Sequence, residues 1–290
     1  MNNLTDPVLP PQSSPTARST PDSLGLGQTS GQRGAEILAG FRAEKYPSPD
    51  TLALSRWSGR IIVRMLMRML QNNAPMNFVF ARTECFETLV RRALPAVVDK
   101  AIIVEIACGL SPRGLRLARE FPQARVIEVD LPGVIQDKQQ RLQGAKNVTI
   151  PPNIEWRAGD LGVTPLLDIL GGQTVDIVTA EGLFAYFPPE AVTKMGGRIK
   201  DCLKPGGHLI ASIPWKEKMD SIRSVASFFS KQAGVYQCQV KDEEAARQLL
   251  LTAGYEMVMV HLASLMAGEL KLPQPMVDYS LFVSAQKAKD

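Results

Sequence analysis

The sequence of 290 residues has few of the side chains that build metal and redox sites. It contains two histidines and four cysteines, and the cysteines show neither a C-x-x-C motif nor the spacing of a zinc site. We therefore expect no metal centre. Cysteines without a disulfide pattern are typical of a reducing compartment, which predicts a cytoplasmic protein.

Long apolar segments are also missing. The chain has no run of about 18 or more apolar residues, and its N-terminus has neither an apolar core nor a cleavage-like signal. The sequence therefore predicts neither an integral membrane protein nor a secreted one. The formal net charge is only +4, which gives no argument for binding to nucleic acid.

Residues 102–130 carry the most informative pattern that is present. An apolar run with the branching of a buried parallel strand leads to a turn at Gly109 and a predicted helix, and a second apolar strand then ends at Asp130. Asp130 follows Gly109 by about 20 residues, the separation at which an acid binds both hydroxyls of a ribose. This segment predicts a cofactor that contains a nucleoside.

The phosphate-binding motifs of nucleotide cofactors are absent. No G-x-x-x-x-G-K-[ST] loop is present, and Ala107, Gly109 and Pro112 stand where a dinucleotide fold has G-x-G-x-x-G. Glu105, just before the turn, would repel phosphate but suits a ligand with an ammonium and a sulfonium group. S-adenosylmethionine fits this combination best.

Five motifs in order resemble the leucine carboxyl methyltransferase family, including its bacterial members that act on polyketide-type metabolites. They are A-R-T at residues 81–83, E-x-A-C-G-L-S-P-R-G at 105–114, E-V-D-L-P-x-V-I-x-x-K at 128–138, G-D-L at 159–161 and E-G-L-x-x-Y at 181–186. The resemblance implies a class I S-adenosylmethionine-dependent methyltransferase. One departure is Ala107, because many methyltransferases have glycine there.

The resemblance also implies roles for individual residues. Arg82 would hold the carboxylate of the cofactor's methionine part with its guanidinium fork. Asp160 would accept a hydrogen bond from the adenine amine, and Leu161 would pack on the adenine ring. The predicted cofactor site is completed by Glu105, Ala107, Gly109, Asp130, Leu131 and Glu181.

Catalysis by methyl transfer asks little of the protein beyond positioning. A carboxylate acceptor is ionised at neutral pH and needs no general base, whereas a phenol would benefit from one. Tyr186 is the candidate for orienting the acceptor, and His261, at the end of the sixth predicted strand, is the candidate base. Both residues also have a purely structural interpretation, as aromatic packing and as a rim histidine.

The order of elements predicts the fold class and the domains. We expect a disordered, proline-rich tail over residues 1–33, a helical cap over 34–99 and a cofactor-binding domain over 100–290. Alternating strands and helices predict an α/β fold with a doubly wound, mostly parallel, seven-stranded Rossmann-like sheet, whose last strand inserts as an antiparallel hairpin partner at the edge.

The cap contains a predicted helix over residues 52–72 with an arginine every four residues, at Arg56, Arg60, Arg64 and Arg68. Such a face is consistent with a solvated surface, with an acidic partner or an anionic membrane surface, or with a wall that guides an acidic substrate.

The sequence as a whole predicts an S-adenosylmethionine-dependent O-methyltransferase that acts on a carboxylate or phenol of a small metabolite. Two alternatives stay open. The first is an enzyme of the same fold that uses the bound cofactor for a rearrangement or decarboxylation, and the second is a non-catalytic subunit that serves assembly.

Overall fold

A computed structural model describes residues 30–69, 74–94, 100–221 and 235–289. The predicted disordered tail lies outside this range except for residues 30–33, which belong to the first helix.

The N-terminal part of the described chain is helical. Its helices are α1 (Ser30–Lys45), α2 (Pro49–Leu54), α3 (Trp57–Met69) and α4 (Ala74–Ala93).

The prediction of one continuous helix over residues 52–72 is wrong, because the chain breaks between α2 and α3. Ser48 caps α2 through its hydroxyl, and Pro49 occupies the first turn, so the helix starts early. At Ser55 the backbone is extended. The backbone N–H of Arg56 then donates to the buried carboxylate of Glu36 at 2.6 Å, which fixes the start of α3.

The sheet has seven strands, in agreement with the prediction: β1 (Ile102–Ile106), β2 (Arg125–Asp130), β3 (Ile154–Ala158), β4 (Val175–Ala180), β5 (Leu203–Pro214), β6 (Met257–His261) and β7 (Ser280–Gln286). Their order is β3-β2-β1-β4-β5-β7-β6. The first five are parallel, and β7 is antiparallel to both of its neighbours.

The last strand does not lie at the edge, where the sequence placed it. Leu281, Phe282 and Val283 of β7 are all buried, so both faces of this strand are covered. Met257 and Met259 of β6 are exposed, which is tolerable only at the rim of a sheet. β7 therefore inserts between β5 and β6.

Helices cover both faces of the sheet. After β1 they are α5 (Arg113–Glu120), α6 (Pro132–Gln143), α7 (Leu166–Ile169), α8 (Pro189–Cys202), α9 (Lys216–Asp220), α10 (Glu243–Thr252) and α11 (Ala263–Glu269). One core contains Phe86 of α4 and Phe282 of β7, and the other contains Val192 of α8 and Leu250 of α10.

The strand order changes direction between β1 and β4. From β1 the chain proceeds outward to β2 and β3, and β4 then starts on the other side of β1. In doubly wound sheets a ligand binds at this switch point, outside the carboxyl ends of the strands. Within the described residues no helix is both long and apolar enough to cross a membrane.

Candidate active site

The turn after β1 is fixed by a carboxylate from the end of β2. Oδ2 of Asp130 accepts the backbone N–H of Gly109 at 2.7 Å, and Oδ1 accepts that of Leu131 at 2.7 Å. Each carboxylate oxygen has two lone pairs, so the group retains acceptor capacity for two further donors such as ribose hydroxyls. Burial raises the pKa of Asp130, and these two backbone hydrogen bonds oppose that rise.

The turn needs two residues with left-handed backbone. Ala107 and Gly109 both have φ of 50°. An alanine in this region costs about 1 to 2 kcal/mol, whereas glycine adopts it freely. Ala107 therefore adopts a backbone conformation that glycine would adopt without this cost.

The space beside this turn is open. A methyl group added at Gly109 would contact only Ala35 of α1, at 3.5 Å. One added at Gly182, which follows β4 with φ of 74°, would have no atom of the described residues within 4 Å. A ligand could therefore approach the backbone closely after β1 and after β4.

A buried cluster of charges lies at the same edge of the sheet. Its acids are Glu105 in β1 and Glu181 directly after β4, and Arg113 of α5 joins them. Nη1 of Arg113 donates to Oε1 of Glu105 at 2.9 Å, and its Nη2 donates to Oε2 of Glu181. The side chain of Arg113 is fully buried, with its guanidinium carbon 4.9 Å from the ring centroid of Phe86.

Two further guanidiniums meet Glu181. Nε of Arg82, on α4, lies 2.5 Å from Oε1 of Glu181, and Nη2 of Arg42, on α1, lies 3.3 Å from the same oxygen. Burial alone would raise the pKa of Glu181, but Arg82, Arg113 and Arg42 together hold it well below its usual range. The carboxylate is therefore ionised at any pH near neutrality.

The cluster brings together Arg82, Glu105 and Glu181, which the sequence assigned separately to the cofactor. Arg82 contacts a protein carboxylate here, and Oε1 of Glu105 is occupied by Arg113. Oε2 of Glu105 is buried and has no hydrogen-bond partner among the described residues. A buried acceptor without a donor is costly, so this oxygen suits a ligand that donates, such as an ammonium group.

The G-D-L loop lies beside Asp130. The backbone N–H of Gly159 donates to the carbonyl of Asp130 at 2.9 Å. The side chain of Asp160 is exposed, and its Oδ1 accepts the N–H of Gly162 at 2.8 Å, which leaves Oδ2 available. Leu161 packs against the core, and Leu131 is 42% exposed. These residues border one surface next to the predicted ribose position.

The motif residues Glu128 and Lys138 have a structural role. Both side chains are fully buried, and Nζ of Lys138 lies 2.8 Å from Oε1 of Glu128. Nε1 of Trp156 donates to Oε2 of the same carboxylate at 2.6 Å. This ion pair joins α6 to β2 two residues before Asp130. Part of the motif therefore stabilises the structure around the site and is not available to a ligand.

Tyr186 lies in the 3-10 turn Phe184–Tyr186, which follows Glu181. Its ring packs edge-on against that of Tyr236 with 5.6 Å between centroids. The segment around Tyr236 is held by Gln237, whose backbone N–H donates to the carbonyl of Ala185 at 2.7 Å. Burial raises the pKa of Tyr186 far above neutrality, so its hydroxyl is a hydrogen-bond donor and not a base.

His261 is not brought to this cluster. It ends β6, the edge strand, which is three strands from β4 and therefore roughly 14 Å away. Its charged neighbour is Arg92, ten residues or roughly 15 Å along α4 from Arg82. Burial lowers the pKa of His261, and its Nε2 has no hydrogen-bond partner among the described residues. Its catalytic role stays a prediction.

The arginines of the predicted basic helix lie near the surface of the cap. Arg64 pairs with Glu44 at 2.7 Å and Arg56 with Asp137 at 3.5 Å, and in both pairs the arginine is exposed while the acid is partly buried. Trp57, also on α3, is 70% exposed. A partner for this face stays a prediction. In the described part of the chain, no group of three or more histidines, cysteines or acids is placed to hold a metal ion.

Comparison with known proteins supports the resemblance. Residues 63–199 match the leucine carboxyl methyltransferase family. A relative from Mycobacterium sp. (strain KMS), assigned by name to the S-adenosyl-L-methionine-dependent methyltransferases, is 35% identical over 138 residues. That match covers 44% of this chain and 42% of the relative, so it spans less than half of the relative's length.

Two solved structures share the fold. The CMeT domain of the citrinin polyketide synthase superimposes with a TM-score of 0.55 at 16% identity, covering 89% of this chain and 66% of that one. Magnesium protoporphyrin IX methyltransferase from Synechocystis PCC 6803, with bound SAH, gives a TM-score of 0.53 at 15% identity, covering 80% and 95%. The predicted methyltransferase fold is confirmed.

Proposed function

We propose that this chain is an S-adenosylmethionine-dependent O-methyltransferase, because residues 63–199 match the leucine carboxyl methyltransferase family. The observation that carries the proposal is the site at the switch point of the sheet. There the carboxylate of Asp130 holds the turn at Gly109, and the buried Glu105 retains an unpaired acceptor oxygen. Asp130 can accept further hydrogen bonds from the ribose of a nucleoside, and the free oxygen of Glu105 can accept one from an ammonium group.

The residues present fit the cofactor from end to end. Asp130 would accept the ribose hydroxyls, and Asp160 and Leu161 would hold the adenine. At the other end, the free oxygen of Glu105 would accept the ammonium group, and Arg82 would turn part of its guanidinium from Glu181 to the cofactor's carboxylate. When bound, the cofactor supplies an electrophilic methyl group on a sulfonium, which is transferred by in-line displacement.

We infer that the acceptor is a carboxylate or phenol of a small organic molecule, and the surroundings favour a carboxylate. Near Tyr186 the described residues offer hydrogen-bond donors and cations but no group that would act as a base at neutral pH. The hydroxyls of Tyr186 and Tyr236 have pKa values raised by burial, and Glu181 is ionised and paired with arginines. Such donors would orient an acceptor that is already an anion.

We also infer a cytoplasmic location from the cysteines. All four thiols are free and buried, as expected of a protein that matures without disulfides.

The pH profile of methyl transfer tests the class of acceptor. With a carboxylate acceptor we expect a single-turnover rate that is nearly flat from about pH 6 to 8, because a carboxyl group ionises near pH 4. His261→Ala should then leave the rate within about twofold of the wild type. A wild-type rate that rises near pH 6.5, together with a loss of 100-fold or more in His261→Ala, would instead make His261 the general base.

The tyrosine pair should act on the acceptor and not on the cofactor. Tyr186→Phe removes one hydroxyl donor and is expected to lower kcat/KM for the acceptor by about 10- to 100-fold, the effect of losing one hydrogen bond to a charged group. The affinity for S-adenosylmethionine should change less than twofold, and Tyr236→Phe should show the same pattern. Tyr255→Phe is a matched control, because its hydroxyl donates to the carbonyl of Gly196 inside the core. An equal loss of cofactor affinity in Tyr186→Phe would remove Tyr186 from the acceptor site.

A further inference from the structure

The guanidinium of Arg113 bonds two acids that come from different strands of the sheet. Arg113 begins α5, in the first turn after the loop that contains Gly109, yet its side chain is fully buried. It bonds Glu105 at the end of β1 with Nη1 and Glu181 beyond β4 with Nη2. A single planar fork therefore joins the acids from the two strands that flank the switch point.

The two acids differ in how many cations they meet. Glu181 also contacts Arg82 and Arg42, whereas within the described chain Arg113 is the one cation in ion-pair contact with Glu105. A buried charge without a partner is strongly disfavoured, and two nearby carboxylates respond by sharing a proton. Without Arg113, the repulsion between the two buried carboxylates would favour binding of a proton by the pair.

The other charged groups around Arg113 do not replace it. Glu87 of α4 also faces the guanidinium and adds negative charge, although burial raises the pKa of this acid to about 7. Arg82 from α4 and Arg42 from α1 lie on the far side of Glu181, against its Oε1, while Arg113 bonds its Oε2. Lys138 of α6, Arg42 of α1 and the acid Glu128 of β2 act on Glu105 electrostatically without an ion-pair contact to it. Loss of Arg113 would therefore remove the one cation in direct ion-pair contact with Glu105 among the described residues.

We propose that Arg113 is a positioning residue that keeps Glu105 and Glu181 ionised and at a fixed separation, so that the cationic end of the cofactor meets an anionic site that is already formed. This inference rests on the proposed function for the identity of the ligand. The ionisation of the two acids does not depend on it, and the experiment uses both readouts.

The first readout is the affinity for S-adenosylmethionine, measured by titration calorimetry from pH 5.5 to 8.5. The wild-type affinity should change less than threefold over this range. The affinity of Arg113→Met should be at least tenfold lower than that of the wild type at pH 5.5. Most of this loss should be recovered by pH 8.5, because the acids ionise again as the pH rises. Arg113→Lys keeps the charge without the fork, so its affinity should fall with little dependence on pH.

A double variant provides the rescue. Glu105→Gln with Arg113→Met removes one anion and one cation, and Glu181 keeps Arg82 and Arg42. The affinity of this variant should again be flat with pH, although weaker than the wild type because the free oxygen of Glu105 is lost. Arg125→Met is the matched control, because Arg125 pairs with Glu155 at the partly exposed amino end of β2.

The second readout needs no ligand. Urea unfolding should show a stability deficit of Arg113→Met that grows from pH 4 to pH 7, because deprotonation of the two acids then becomes unfavourable in the folded state. Arg113→Lys serves if the methionine variant does not fold. A deficit and an affinity loss that are both independent of pH would overturn the proposal. Wild-type protein that does not bind S-adenosylmethionine, with the unfolding result as expected, would overturn the proposed function and leave the ionisation role of Arg113 supported.

Discussion

Replacing Asp130 with alanine is expected to weaken binding of S-adenosylmethionine by about 30- to 1000-fold. Two hydrogen bonds from the ribose to a charged acceptor would be lost, which corresponds to about 2 to 4 kcal/mol. The side chain also accepts the N–H groups of Gly109 and Leu131 at 2.7 Å each, so its removal loosens the turn on which the cofactor would rest. Titration calorimetry on the folded variant measures the effect.

Two further variants separate these contributions. Asp130→Asn retains one oxygen that can accept a backbone N–H but turns the other position into a donor, so we expect a loss nearly as large as with alanine. Asp137→Ala is the matched control, because its carboxylate pairs with Arg141 at 2.7 Å between α6 and the N-terminal helices and should have no effect on the cofactor. Unchanged affinity in a folded Asp130→Ala protein would refute the ribose assignment.

Glu181→Gln is expected to lower the free energy of unfolding by about 3 to 5 kcal/mol at pH 7, the usual effect of removing one partner from a buried ion pair. Glu181 is the shared anion of Arg42, Arg82 and Arg113, and all four side chains are buried or nearly so. The amide can accept hydrogen bonds but leaves three guanidiniums with too little negative charge. Urea unfolding measures the difference.

The pH dependence of this effect has a definite sign. The pKa of Glu181 is lower in the folded protein than in the unfolded chain, so its stabilisation is complete above the unfolded value of about 4.3 and is lost as pH falls through the folded value. The difference between wild type and Glu181→Gln should therefore be constant from pH 6 to 8 and should shrink below about pH 4.

Glu155→Gln provides the comparison, because Glu155 pairs with Arg125 and both side chains are more than a third exposed. Its loss should cost less than about 1 kcal/mol. Equal costs for the two glutamine variants would show that the buried cluster has no special role in stability.

The sheet was predictable because its central strands are buried on both faces. Such strands give continuous apolar runs, and β2 ends at Asp130, as predicted. The break between α2 and α3 was not predictable in the same way. It depends on the carboxylate of Glu36, 20 residues earlier in the chain, which bonds the backbone of Arg56. No local pattern encodes a tertiary contact of that kind.

The same distinction applies to the site. Glu105 and Asp130 lie at the carboxyl ends of apolar strands and Glu181 directly follows one, positions where an acid is unusual, and the fold brings the three strand ends together. Arg113 belongs to a motif, but a helical arginine ordinarily lies in solvent, and only the packing of α4 against α5 shows that it is buried. Tyr236 belongs to no motif, so nothing in the sequence distinguishes it from other aromatic residues.

We propose that this chain binds S-adenosylmethionine across the carboxyl ends of β1, β2 and β4, with Arg82 at the methionine end. The decisive measurement is titration calorimetry of wild type and Arg82→Lys with S-adenosylmethionine and with adenosine. We predict that wild type binds both ligands, that the variant loses at least tenfold in affinity for S-adenosylmethionine, and that its affinity for adenosine changes less than twofold. No binding of either ligand by the folded wild-type protein would contradict the account.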